Sequence, residues 1–433
     1  MQETSETPYR LNKTQWLLLG LLMRLLVMPF TTHGDFFFIY KTPSLFSHGD
    51  WNAYQNGYAG YYPPLTLLWF SGTQLLTRLF FPALDDFIQG TFTGDFSGTG
   101  NNTFNPTYVF FENEHLFQSL FLMKTPYLIF DFCLVALFWK MLPDENDQTS
   151  FTIFWSFNPV VIYGAYMAGQ LSLAPAALVA ASCYFCLQPG KERFACLALG
   201  CGFLFKIFPI IFLPMVLCVV SRTWKEILIY SLWAIVPIVV LYGGFYIVSG
   251  PAVFKVFLAG GMSVASSFKP DLGILVLRAM QAGIYLFVCW RIFSRYGGEM
   301  NYSLLLKYFL VVYIALMWGA WLSSTHYMIW FMPFLIAFII RRREWKIPFY
   351  GLLTVLFLAG LKSRYSCFGI FRPLEPEMFM SLPSMMDVAG FLFPLNAYYT
   401  FLGLVFKLTT GCIAFLALKN QTPRRMEGVH GES

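Results

Sequence analysis

Long apolar runs separated by short polar breaks dominate the chain. They fall near residues 13–31, 117–139, 150–165, 170–188, 193–221, 226–248, 273–291, 304–322, 327–341, 347–362 and 391–417. A membrane-spanning helix needs roughly 20 predominantly apolar residues, so the pattern predicts an all-α integral membrane protein with a bundle of about 11–13 transmembrane helices. The run at 193–221 is too long for one span and contains Lys206 and Pro209. Two shorter helices meeting at a break are expected there, because proline removes a backbone donor. The stretch 62–81 is also apolar, but counting it as a span would place residues 83–116 on the inner side. That segment holds Asp85, Asp86, Asp95, Glu112 and Glu114 and no Lys or Arg. Inner loops carry an excess of Lys and Arg, so 62–81 is expected to be a helix on the outer surface, within one large outer loop from 32 to 116.

Composition agrees with this reading. Of 433 residues, 57% are hydrophobic and 12% charged, where soluble proteins carry about a quarter charged residues. With the N-terminus inside, the inner loops collect most of the basic residues, among them Arg10, Lys13, Lys140, Arg193, Arg341, Arg342, Arg343 and Arg424. The first apolar run is followed by no small-residue cleavage site, so a retained signal anchor is expected. Eight of the nine Cys lie within apolar runs, Cys367 being the exception, and read as small buried residues rather than a disulfide framework. The Cys183 to Cys186 pair has redox spacing but lacks the charged surroundings of a reactive thiolate.

Three outer loops are long: 32–116, 249–272 and 363–390. Loops beyond about 15 residues are usually functional. No inner segment is large enough for a nucleotide-binding domain, and no phosphate-cradling Gly loop is present. Chemistry is therefore expected on the outer face, without a soluble nucleotide site and without nucleic acid.

The triplet His-Gly-Asp occurs twice, at 33–35 and 48–50. Asp35 follows the first span by a few residues, and a partly desolvated carboxylate there can act as a general base; a solvated helix-end Asp is the plainer alternative. Asp50 is the secondary candidate, within a Gly- and Tyr-rich stretch where turn and helix-cap chemistry suffices. The two His and two Asp could hold a divalent cation only if the loop folded them together. Arg24, Lys124, Asp131, Gln170 and Lys206 are polar groups in expensive places. Lys124 and Asp131, seven residues apart, share a helix face but sit too far apart to pair, and Lys124 is expected to snorkel outward or bind a head group. Lys206 at a helix break suits an anionic ligand or a buried acid. His326 lies between two spans beside Tyr327 and Trp330, where a structural role in an aromatic belt competes with a functional one. Lys362, Arg364 and Arg372 in the third loop face an acidic first loop, and Arg favours bidentate phosphate contacts.

The run LLMRLLVMPFTTHGDFFFIYKTPSLFSHGDWNAYQNGYAGYYPPL resembles the opening of the multi-spanning glycosyltransferases of the GT-C superfamily, in which a span carrying an Arg leads to the catalytic Asp, an aromatic stretch and a YPPL motif. MKTPYLIFDF, NPVVIYGAYMAGQLSLAPAAL, CGFLFKIFPIIFLPM and THYMIWFMPFL follow in the family's order over roughly the first 340 residues. The nearest subgroup is the prokaryotic transferases that use polyprenyl-phosphate hexoses or mannose. The resemblance implies one membrane-embedded glycosyltransferase domain over 1–433: first span 13–31, outer loop 32–116 with surface helices, bundle 117–362, outer loop 363–390, last span 391–417 and a basic inner tail 418–433.

It implies an inverting transfer of a hexose, mannose first, from a polyprenyl-phosphate donor to a hydroxyl of a lipid or glycan acceptor. Asp35 would be the base, Lys206 and His326 would hold the donor phosphate, and Tyr62, Pro63, Gln170 and Tyr327 would line the substrate. Arg364 and Arg372 join the phosphate-binding set from charge and side, not from a motif. No cofactor is required, although the Gly34-Asp35 pair, where some relatives have two acids, leaves a divalent cation open. The expected site is the outer face of a bacterial inner membrane, or alternatively the endoplasmic reticulum membrane, with membrane lipids around it. A transporter or flippase for a lipid-linked glycan, working without transfer chemistry, is the alternative from another class; an acyltransferase would place its His within a span.

Overall fold

The computed structural model describes residues 11–56, 62–92, 111–254, 272–294, 300–319, 325–340, 349–352, 361, 367–392 and 394–419. Among them all regular structure is helical. The order begins α1 (Lys13–Val27), α2 (Gly34–Ser47), α3 (Ala53–Asn56), α4 (Pro64–Arg78), α5 (Ala83–Phe92), α6 (Leu116–Lys124), α7 (Pro126–Met141) and α8 (Glu145–Ser156). It continues with α9 (Pro159–Val161), a π-helix (Ile162–Met167), α10 (Leu173–Phe185), α11 (Glu192–Phe203), a 3-10 turn (Phe208–Phe212), α12 (Leu213–Val220) and α13 (Trp224–Ser249). Beyond these lie α14 (Leu272–Ser294), α15 (Tyr302–Gly319), a 3-10 turn (Thr325–Trp330), α16 (Met332–Ile339), a 3-10 turn (Phe368–Phe371), α17 (Pro376–Ser381), α18 (Met385–Leu392) and α19 (Leu395–Lys419).

Three of the described helical stretches are long and apolar enough to cross a membrane: Leu116–Met141, Trp224–Phe254 and Thr400–Lys419. Leu173–Phe185, Phe208–Val220 and Tyr302–Trp318 are shorter apolar helices. Along α13 the exposed side chains include Leu228, Ile229, Leu232, Val236, Val239 and Val240, a continuous apolar face of the kind that hydrocarbon, not water, covers. On its other side α13 packs on α11, where Gly200 lets the backbone of Ala234 approach; small residues at helix crossings serve this end.

The 193–221 run does break. The chain leaves α11 after Phe203 and re-enters helix at Phe208, with Pro209 in the first turn and Lys206 between. The 150–165 run, expected as one helix, is interrupted as well. The Asn158 side chain accepts from the N–H groups of Val160 (3.0 Å) and Val161 (3.3 Å) and starts a new helix, while Pro159 brings no donor of its own. The 62–81 segment is the 15-residue helix α4, about 22 Å long at 1.5 Å per residue, against a hydrocarbon core of about 30 Å. It buries Thr66, Leu67, Phe70, Ser71 and Gln74 and is tied to α2 by Ser71 Oγ donating to the Pro43 carbonyl at 2.9 Å.

A buried ion pair fixes α1 in the bundle. Arg24 Nε donates to Asp131 Oδ2 at 2.6 Å, with both side chains about 2–3% exposed. Arg24 Nη1 reaches the carbonyls of Gly20 and Ser156, each at 2.9 Å. Asp131 also accepts from Trp155 Nε1 and the Tyr166 hydroxyl, each at 2.5 Å. The expected surface role of Lys124 is overturned: it is fully buried, and its Nζ donates to the carbonyls of Met28 (2.8 Å) and Thr31 (2.5 Å) and to Thr31 Oγ1 (3.2 Å). The last carbonyls of a helix lack intrahelical donors, and this ammonium supplies them at the end of α1.

Replacing one partner of the pair leaves the other charge buried without compensation, which costs about 3–5 kcal/mol. Asp131→Leu is therefore expected to lower the unfolding midpoint in detergent sharply, and the Arg24→Met/Asp131→Leu double variant to recover most of that loss. Equal midpoints for the single variant and the parent would contradict the role given to the pair.

Candidate functional site

Beyond the Lys124 cap, Thr31, Thr32 and His33 form a short connection without regular structure before α2 begins. Thr31 Oγ1 donates to the Val27 carbonyl (2.6 Å), and Thr32 N–H to the Ile370 carbonyl (2.8 Å), which fastens the 367–372 segment beside this joint. The His33 carbonyl accepts from Phe36 N–H at 3.1 Å and opens the helix. Asp35 is the second residue of α2, a position where the helix dipole favours a carboxylate; its side chain lies outside the described residues.

The first turn of α2 rests on the Gly-Gln segment. Gly169 has φ +68°, and a Cβ there would overlap the Phe36 ring; only glycine takes that conformation without strain and admits the ring. The Tyr127 hydroxyl donates to the Gly169 carbonyl at 2.6 Å, and Gln170 N–H to the Gly164 carbonyl at 3.0 Å. Gln170 itself is buried. Gly164, in the π-helix, faces the 3-10 turn that carries His326: a Cβ on it would lie 3.2 Å from His326 Cα and 2.8 Å from Ile329 Cδ1. π-Helical turns occur disproportionately at functional sites.

Lys206 and His326 come together at this turn. Lys206 Nζ lies over the rings of Tyr327 (5.4 Å) and Trp330 (5.3 Å), a favourable cation–π arrangement, and Phe208 stacks on Trp330 with centroids 3.8 Å apart. His326, in the connection between α15 and α16, has its imidazole held well below the usual histidine range by burial first, then by Lys206 and His33. Trp330 Nε1 is a buried donor with no hydrogen-bond partner among the described residues. The YPPL motif meets the same break: Leu65 N–H donates to the Leu204 carbonyl (3.1 Å) and Thr66 Oγ1 to the Phe205 carbonyl (3.0 Å), immediately before Lys206. Pro63 precedes α4 as its N-cap. The Tyr62 carbonyl accepts from the Tyr54 hydroxyl at 3.1 Å, and Tyr62 lines an apolar recess with Ile39, Thr42, Pro43 and Thr66.

The remaining candidates are less central. Arg372 is buried, 1% exposed, with its guanidinium 5.7 Å from the Phe111 ring centre, on the segment that Ile370 fastens to Thr32. Arg364 lies outside the described residues. Asp50 accepts from Asn52 N–H at 3.0 Å in the turn before α3, a local side-chain-to-backbone bond of the kind that shapes turns. His48 is 3.0 Å from Asp85 and 2.7 Å from the Ser44 carbonyl, and Arg78 Nε is 2.7 Å from the same Asp85 oxygen. Among the described residues no three His, Cys, Asp or Glu are grouped as metal ligands would be. His33 was visible in the sequence only as part of a repeated triplet; its approach to His326 depends on three separate segments folding together. No protein-family model, curated protein or solved structure matches the chain.

Gly169→Ala is expected to cost at least about 1–3 kcal/mol for the left-handed backbone alone, and to push Phe36 and the start of α2 from their place. A fall in melting temperature checks the first effect. Faster backbone hydrogen exchange at the start of α2 checks the second; unchanged exchange there would contradict it.

Proposed function

We propose that the chain is an inverting glycosyltransferase of the GT-C kind, moving a hexose, mannose first, from a polyprenyl-phosphate donor to an acceptor hydroxyl. The observation that carries this reading is the meeting of Lys206 and His326 at the Tyr327 and Trp330 rings, with the 3-10 turn of His326 packed on the Gly-Gln segment that seats the start of α2, the helix of Asp35. Grouped basic residues in a partly desolvated place favour an anion, and a departing phosphate needs that kind of stabilisation. The motifs of the family resemblance support it too, because the Gly-Gln turn, the YPPL entry, the broken helix and the His326 turn bond or pack on one another.

In this reaction the Asp35 carboxylate takes the acceptor's hydroxyl proton as the acceptor oxygen attacks the anomeric carbon. The bond from that carbon to the phosphate oxygen breaks, its electron pair stays on the phosphate, and the sugar inverts. Lys206 faces the charge that develops, and the Trp330 N–H is an additional donor beside it. The donor and acceptor are lipid-linked or glycan molecules, and the setting is the outer face of a bacterial inner membrane. For the flippase reading, the intramembrane charges would have to mark a path; Arg24, Asp131 and Lys124 instead bond to one another's helices.

Purified protein in detergent, given a polyprenyl-phosphate mannose and candidate acceptors, is expected to transfer sugar. Asp35→Asn should lower the rate by about 10²–10⁴-fold, the range of general base catalysis, without changing the melting temperature. Transfer at the parental rate by Asp35→Asn would remove Asp35 as the base. Movement of the lipid-linked sugar across proteoliposomes without any transfer would favour the flippase.

A further inference from the structure

Lys124, the last residue of α6, is fully buried and takes no part in the chemistry assigned to Asp35, Lys206 and His326. An ammonium has three N–H donors, and here three acceptors converge on it: the Met28 carbonyl (2.8 Å), the Thr31 carbonyl (2.5 Å) and Thr31 Oγ1 (3.2 Å). The same ammonium lies 5.5 Å from the centre of the Phe36 ring, within reach of a cation–π contact. Its contacts therefore fall on both sides of Asp35 in the chain, Met28 and Thr31 before it and Phe36 after it. Only four residues, 32–35, separate the two points of contact.

The neighbours of Lys124 hold the same place. The Tyr40 hydroxyl, one turn into α2 from Phe36, donates to the Met123 carbonyl. The Tyr127 hydroxyl donates to the Gly169 carbonyl at 2.6 Å, where the Phe36 ring is seated. The junction of α6 and α7 thus grips the end of α1, the first turns of α2 and the Gly-Gln turn together.

We propose that Lys124 is a positioning residue for the sugar transfer: its ammonium clasps the chain on both sides of Asp35 and so sets where the helix of the base begins. The inference rests on the reading of Asp35 as the base and adds the residue that holds its segment. Lys124 does not touch the substrate, because each of its donors already has an acceptor. It acts through the main chain, by fixing the last carbonyls of α1 and the first aromatic ring of α2. No neutral side chain carries three donors on one atom at the end of a long stem, so the role belongs to lysine. A base must stand within about 2.6–3.2 Å of the proton it takes, and a displacement of about 1 Å, even one caused far from the chemistry, can cost about 100-fold in rate.

The test compares the purified full-length parent with Lys124→Met and Lys124→Gln in a maltoside detergent. Methionine keeps an unbranched apolar stem and no donor, whereas glutamine keeps two donors on a shorter one. Backbone hydrogen exchange is followed by mass spectrometry, and initial rates are taken with polyprenyl-phosphate mannose at varied concentration. In Lys124→Met, exchange across 32–40 is expected to rise several-fold while α10 and α11 exchange as in the parent. The kcat should fall by about 10–100-fold, with KM for the donor held within about twofold, the signature of a lost transition-state geometry. Lys124→Gln should fall between the two, and it carries the comparison if the methionine variant does not fold.

Parental exchange across 32–40 in both variants overturns the clasp. Raised exchange there with parental kcat overturns the positioning of the base. Exchange raised throughout the bundle, with kcat and KM changed together, makes Lys124 a structural residue only and overturns the proposal as well. Transfer by the parent with parental exchange and kcat in both variants keeps the transferase and removes this inference. No transfer by the parent, with exchange raised across 32–40 in the variants, removes the transferase and the positioning role with it and leaves the clasp.

Discussion

An ion pair in an apolar interior holds only where nearly every remaining donor and acceptor is used, and the Arg24–Asp131 pair sets that condition for the whole first third of the chain. Asp131 takes hydrogen bonds from α1, α8 and the π-helix through Arg24, Trp155 and Tyr166, and it stands on α7 itself. Four elements are thereby pinned at one point. Gly20 contributes by lacking a side chain: a Cβ there would collide with Ser156, whose carbonyl Arg24 uses. With α1 anchored in this way, the height at which it ends is set, and with it the position of Lys124 and of the joint that follows.

The candidate site lies at that end and is made of connections rather than of helix faces. The α1–α2 joint, the Gly169–Gln170 turn, the break at Lys206 and the turn of His326 are all interruptions of helix. Each would expose unpaired backbone groups in an apolar setting, and three of them bond to other segments: the Gln170 N–H to Gly164 of the π-helix, the Leu204 carbonyl at the break to Leu65 of α4, and the Thr32 N–H of the joint to Ile370. Packed beside these bonds, Lys206 and His326 meet at the Tyr327 and Trp330 rings. Stability and site are here one arrangement, so a substitution that disturbs a joint disturbs both.

How much of this could be read from the chain depended on whether the signal was local. The break near Lys206 was legible because Pro209 and a charge interrupt one apolar run, and proline acts on its own helix. Asn158-Pro159 carried an equally local signal, but a hydropathy run extends across an Asn whose side chain is spent on the next turn's N–H groups. The partners of Arg24, Asp131 and Lys124 were not legible, since spacing along a helix says which residues share a face and nothing about what faces them. Lys124, the last residue of α6, and Asp131, in α7, each find their partners on α1 or at its end. Arg372 was assigned to the donor phosphate from its charge and side; it is buried, on a segment whose Ile370 carbonyl takes the Thr32 N–H, a contact between segments more than three hundred residues apart.

The two His-Gly-Asp triplets show why composition of a motif does not fix its chemistry. In the second, His48 faces Asp85, Arg78 shares the same carboxylate, and Asp50 folds back on the amide of Asn52. Charge there is shared between His48, Arg78 of α4 and Asp85 of α5, and the triplet follows α2 and leads into α3. In the first, the following Asp is the second residue of a helix instead of closing a turn, and the helix it opens is seated by Phe36 on Gly169. The letters are the same, but the second triplet closes a helix into a turn, whereas the first opens one.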